Sequence, residues 1–171
     1  MLKIFGAVLL IFSTSKVGMN VASSVEKRID ELRELRNIMI LLMGEIDYDM
    51  SCSWQAFMNI SDKVSEPYRE FLKRVSKEAE EMKEDSFAKI WEKHLDVVGK
   101  KIKDEEDVKR FKDFGHDFGY KHKEVQISAI KMYINELDIK IEELRKDVNA
   151  KMRIYRMLGV MTGIFLVILL V

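Results

Sequence analysis

Little in this sequence could staple or kink it. It has one cysteine, Cys52, so no disulfide can form within the chain. One proline, Pro67, and eight glycines leave long stretches without a helix breaker. With 29 basic and 29 acidic residues the formal net charge is zero, which argues against a general nucleic-acid binder and for no nucleic-acid partner. Apolar and polar residues do not alternate over any strand-length stretch, so no β-sheet is expected. No Gly-rich loop is followed by Lys-Ser or Lys-Thr, so there is no phosphate cradle. No nucleophile–base set or cofactor motif is present either. The expectation is therefore no enzyme, no cofactor, no catalytic residue and no metal site.

What is present is apolar residues at helical spacing, and a split in composition. Nearly all the charge lies between residues 23 and 156, with apolar runs at both ends. "MLGVMTGIFLVILLV", Met157 to Val171, holds ten Leu, Ile, Val or Phe among its fifteen residues and no charge. Such a helix is about 22 Å long. Extended back to Ile154, with Arg156 reaching the headgroups, it approaches the roughly 30 Å hydrocarbon core. A buried core helix would carry a polar face, and this one has none. At the other end "IFGAVLLIF" (Ile4–Phe12) begins a run to Ala22 that only Lys16 interrupts. A basic start followed by a nine-residue apolar run also fits a cleaved signal peptide. The retained span is preferred, because Asn20–Val21–Ala22 matches a cleavage site poorly. Three segments result: a transmembrane segment at 1–22, a helical domain at 23–153 and a C-terminal anchor at 154–171.

Basic residues set the orientation. Lys27, Arg28, Arg33, Arg36, Arg145, Lys146, Lys151, Arg153 and Arg156 flank the spans on the domain side, against Lys3 alone outside. The domain is therefore expected in the cytoplasm and both termini outside.

Six helices are predicted. The first runs from about Ser23 to Tyr48, with Val25, Ile29, Leu32, Leu35, Met39, Leu42 and Ile46 as its stripe. A short second covers Ser53 to Val64. The third begins at "SEPYREF" with Ser65 as cap and Pro67 in the first turn. The fourth runs from Phe87 to Gly99, and the fifth opens on the acids Asp104–Asp107. The last carries Ile130, Ile134, Leu137, Ile141, Leu144 and Val148 in steps of four and three, a heptad stripe leading into the anchor. If both ends enter a membrane, the first and last helices must run antiparallel. The fold class expected is all-α: a bundle of about six helices whose two long members continue into the N- and C-terminal spans.

Three constellations could carry chemistry. His116, Asp117, His122 and Glu124 in "GHDFGYKHKE" could ligate a metal, but the two histidines are six positions apart and a helix would not put them on one face. Surface or packing roles are the preferred reading. Glu45, Asp47 and Asp49 in "EIDYD" read as a solvated helix end with a partly buried Glu45. Gly115 and Gly119 in "FGHDFG" permit a tight turn or close packing between the last two helices. Gly159 and Gly163 form G-x-x-x-G inside the anchor, which permits close packing with the first span or with another copy. The tract "KEAEEMKED" (Lys77–Asp85) is a candidate docking face, read preferentially as solvated.

Read in order, "MLK…GA", "EIDY" at the end of the first long helix, "FGHDFG" followed by Gln126, and "YRMLGVMTGIFLVILLV" resemble the stage III sporulation protein AB family from end to end. Ser51–Cys52–Ser53 stands where the family has Pro-Leu, His122 where it has Asp, and Phe where it has Leu before each glycine. The resemblance implies a fold similar to the cytoplasmic domain of the inner-membrane platform (F) protein of type II secretion systems. It implies a platform in the mother-cell membrane facing the forespore, a scaffold of the sporulation channel that docks a cytoplasmic ATPase and ring-forming proteins. Homo-oligomers are compatible with it. It also implies packing or docking roles for Glu45, Tyr48, Gly115, Gly119 and Gln126. The alternatives are an extracytoplasmic helical sensor domain with a cleaved signal peptide and a C-terminal anchor, or a metal protein using His116 and His122.

Overall fold

The computed structural model describes residues 2–48, 53–81, 86–119 and 122–170. Side chains are described from Ser23 to Asp47, Trp54 to Glu81, Ser86 to Gly119 and His122 to Ala150, and at Met152, Arg153, Ile154, Met157 and Met161. Among the described residues there are seven helices and no strand: α1 (Leu2–Tyr48), α2 (Ser53–Ser61), α3 (Tyr68–Glu80), α4 (Phe87–Lys93), α5 (Leu95–Gly99), α6 (Glu105–Phe118) and α7 (Lys123–Leu170). The chain divides into two units, residues 1–32 with 139–171 and residues 33–138, so α1 and α7 contribute to both.

The unit of residues 33–138 is the globular one. Two side-chain ties fix α1 and α7 against each other there. Arg36 Nε meets Asp138 Oδ1 at 2.6 Å, and Lys123 Nζ donates to the Asp47 carbonyl at 2.7 Å. Position rises along α1 as it falls along α7, so the two run antiparallel. The α1 stripe at Leu35, Met39, Leu42 and Ile46 is buried, as are Ile130 and Leu137 of α7. Those helices form because their sequences present an apolar face to a common core while the opposite face stays charged.

An aromatic cluster joins the shorter helices to that pair. Trp91 is fully buried and meets Phe71 edge-on at 4.7 Å, Phe111 at 4.8 Å and Phe114 at 5.4 Å between ring centres. Phe57 stacks on Phe87 at 5.6 Å, and Phe114 stacks on Tyr133 of α7 at 5.1 Å. Offset and edge-on pairs of this kind add to the area each ring removes from water. The indole N–H is satisfied inside the core, donating to the Phe111 carbonyl at 2.8 Å.

The helix boundaries differ from expectation in two places and agree at a third. The stretch expected as one fourth helix is two, because His94 ends α4 and precedes α5 with φ −99° and ψ 3°. Its N–H bonds back to Trp91 three residues away, which tightens the turn and redirects the chain. Ser65 does not cap α3. Its hydroxyl donates to Glu34 of α1, and Pro67 occupies the cap position. The acids of "DEED" do open α6, with Asp104 as a true cap whose carboxylate accepts from the Glu106 and Asp107 N–H groups at 3.1 and 3.4 Å.

The unit of residues 1–32 and 139–171 consists of the start of α1 and the end of α7. Ile29 and Leu32 of α1 and Ile141 of α7 are buried within it. Leu144 and Val148 are half-buried. Among the described residues, no helix is long and apolar enough to cross a membrane. The two apolar ends, 1–22 and 154–171, lie largely outside the described side chains.

Candidate functional site

The end of α1 is tied down by Glu45. Its carboxylate accepts from Lys63 Nζ at 2.6 Å and from Asn59 Nδ2 at 3.1 Å, which fixes α2 and the turn after it to α1. Those two hydrogen bonds, Lys63 first, hold the Glu45 carboxyl below the usual carboxylate range. Glu45 is therefore a half-buried, fully engaged anchor rather than an acid–base group. Asp47 beside it is exposed and meets Lys123. The Tyr48 side chain and Asp49 lie outside what is described.

The two glycines of "FGHDFG" play different parts. Gly115 is buried in mid-α6, and a Cβ built there would sit 2.2 Å from Trp91 Cδ1 and 2.3 Å from Cγ. No side chain fits, so glycine is what lets α6 lie directly on the indole. The close approach is thus to α4, not between the last two helices as the spacing suggested. Gly119 is exposed at the end of α6 with φ −64°, where an added Cβ would meet nothing nearer than the His116 carbonyl at 3.4 Å. Glycine is not required there by the backbone. Gln126, in the first turns of α7, is buried at 7 % exposure.

His116 and His122 are both exposed, and among the described residues no group of three or more His, Cys, Asp or Glu is placed to hold a metal ion. The tract from Lys77 is not uniformly solvated. Glu78 takes Lys93 Nζ at 2.5 Å and His94 Nε2 at 2.7 Å, clamping α3 to the α4–α5 joint. The Lys93 contact is the main reason the Glu78 carboxyl stays below its ordinary value. Residues 82–85 of that tract lie outside the described residues. The two glycines of the C-terminal apolar run, Gly159 and Gly163, lie in α7 beyond most of the described side chains.

Sequence reasoning passed over two features. One is a tie in which Glu34 of α1 takes both Ser65 and Lys101, joining α1 to the segments before α3 and after α5. The other is the polar neighbourhood of Tyr133, Tyr68, Asp107 and Arg110. Burial pushes the Tyr133 phenol far up, with Tyr68 and Asp107 adding to it. The one signal available in advance was Asp107, an acid standing three residues after its cap where an amphipathic α6 turns inward.

Taken together, these arrangements fix helices to one another, and the glycine that matters most serves packing. A solved structure titled "Stage III sporulation protein AB (SpoIIIAB)" superposes with a TM-score of 0.61 at 21% identity, over 72% of this chain and 97% of that one, so the two share a fold. The Stage III sporulation protein AB of Bacillus subtilis (strain 168) is 25% identical over 175 residues, 99% of each chain. The family described as Stage III sporulation protein AB (spore_III_AB) matches residues 3–171. With a match that runs through both apolar ends and the whole helical middle, the chain belongs to the stage III sporulation protein AB family, a family of sporulation proteins.

Proposed function

We propose that this protein is a membrane-anchored scaffold of the sporulation channel between mother cell and forespore. Both apolar ends enter the mother-cell membrane, the helical domain stands in the cytoplasm, and it docks a cytoplasmic ATPase and ring-forming components. The observation that carries this reading is the membership of both chain ends in one compact unit, built from the start of α1 and the end of α7. A polypeptide that leaves the bilayer and returns to it needs its first and last helices side by side. Within the globular unit the same two helices run antiparallel, tied at Arg36–Asp138 and Lys123–Asp47.

Exposure near the C-terminus supports it as well. Ile154, Met157 and Met161 are 56, 58 and 70 % exposed, a run of large apolar side chains that water would disfavour and acyl chains would not. The nine bases on the domain side set the orientation. An extracytoplasmic sensor would instead lose residues 1–22 at a signal-peptidase site.

The test is reconstitution of the full-length chain in bilayers with single cysteines at Ser24 and Asn149 in a Cys52→Ser background. Both should react with an impermeant thiol reagent only from the cytoplasmic side, and the purified ATPase should bind the same vesicles. Reaction from the far side, or a mature N-terminus beginning near residue 23, would remove the platform reading.

A further inference from the structure

The end of α7 differs from one side to the other. Ile154, Met157 and Met161, spaced by three and four residues, share one helix face, and all three are more than half exposed. At about 100° per residue, that face lies opposite the one that carries Ile141, Leu144 and Val148. Ile141 is buried and the other two are half-buried, so the second face is the packing side. Met152, nearer the packing side in angle, is less exposed at 38 %.

Helical periodicity carries this division into the anchor. Gly159 stands 18 residues beyond Ile141 (159 minus 141), about five full turns, and so returns to the packing side. Gly163 follows one turn later. The other helical segment of this unit is the start of α1, and residues 1–32 and 139–171 are compact together. We infer that the G-x-x-x-G side of the anchor closes on the chain's own first span rather than on a second copy, while Ile154, Met157 and Met161 face the lipid acyl chains. This inference rests on the membrane reading above.

The physics favours that division. Between helices in lipid there is no hydrophobic drive, so association depends on close backbone approach, which small residues permit. Bulky Met and Ile side chains lose nothing by facing acyl chains. Turned inward, they would hold the two helices apart at the height where the glycines would let them meet.

The experiment uses the full-length chain in nanodiscs, with Cys52→Ser and nitroxide labels placed singly at Met157, Met161 or Gly159. Labels at 157 and 161 should collide several-fold more with oxygen than with an aqueous nickel chelate, whereas a label at 159 should meet neither. A label could itself pry the helices apart, so the unlabelled Gly159→Cys chain is also oxidised with copper phenanthroline, and it should stay monomeric. Disulfide dimers through position 159, or labels at 157 and 161 shielded from oxygen and nickel alike, would overturn the inference and leave the anchor standing. Labels at 157 and 161 that meet the aqueous chelate would instead overturn the anchor itself, and the inference with it.

Discussion

The two units of this protein bury their apolar residues by different means. Among the described residues of 33–138, seven helical segments surround one core, and Trp91, Phe57, Phe71 and Leu42 are fully or almost fully excluded from water. In residues 1–32 and 139–171 only two helices are available, and a pair of helices can hide just one face of each. Ile154, Met157 and Met161 therefore remain outward. The larger unit satisfies its apolar residues internally, whereas the two-helix unit leaves some of them outward, where the membrane reading proposed above would set them against acyl chains.

The contrast can be broken most severely at Trp91. Replacing it with Ala empties the centre of the aromatic cluster and leaves the Phe111 carbonyl without its donor, so a loss of about 3–5 kcal/mol is expected. Denaturant unfolding of the full-length chain in detergent, followed by circular dichroism, measures it. A loss under about 1 kcal/mol would mean the cluster is not the core of that unit.

Next in size is a change in the other unit. Met161→Lys should leave unfolding of the globular unit unaltered but weaken membrane retention by roughly 2.5–3.5 kcal/mol if that position lies in hydrocarbon. Alkaline extraction of membranes reads it, and unchanged retention would contradict a lipid-facing Met161.

Gly115→Ala should cost about 1–3 kcal/mol, since its Cβ would overlap the indole and α6 would have to move away. Gly119→Ala, at an ordinary contact distance and an ordinary φ, should change stability by less than about 0.5 kcal/mol. Equal effects at the two positions would refute their assignment to different roles.

A smaller effect, about 1 kcal/mol, is expected for Glu78→Gln, which removes a charge-assisted tie of α3 to α4. Because the folded Glu78 carboxyl titrates below its ordinary value of 4.5, its contribution is present above that pH and is lost as pH falls through the lower folded value. The variant's stability should therefore fall less steeply with acid than that of the parent chain below about pH 4.5. Parallel acid limbs would show that the clamp contributes nothing.

Much of this architecture was legible because the sequence is periodic. The α1 stripe from Ile29 to Ile46 and the α7 stripe from Ile130 to Ile141 needed only the 3.6-residue repeat to be seen; the first is buried, and so is the second except for the half-buried Ile134. The acids before α6 marked its start, because capping is local chemistry. The break at His94 was not legible, since nothing in "IWEKHLDVV" stops a helix. It shows only in the folded chain, where the His94 N–H turns back to the Trp91 carbonyl and the Nε2 meets Glu78 of α3. Nor could spacing say which partner a glycine admits. Gly115 and Gly119 look alike in "FGHDFG", yet only one lies beneath an indole ring.

The sequence by itself determined the all-helical class, the apolar ends, the family and the two faces of each long helix, because each of these is written in composition or in periods of a few residues. Tertiary structure alone decided the antiparallel ties at Arg36–Asp138 and Lys123–Asp47, the Glu34 and Glu78 clamps, and the seat of Trp91 on Gly115. Most of these join residues distant in sequence, and no local propensity specifies which side chains a folded chain will bring within hydrogen-bond or van der Waals reach.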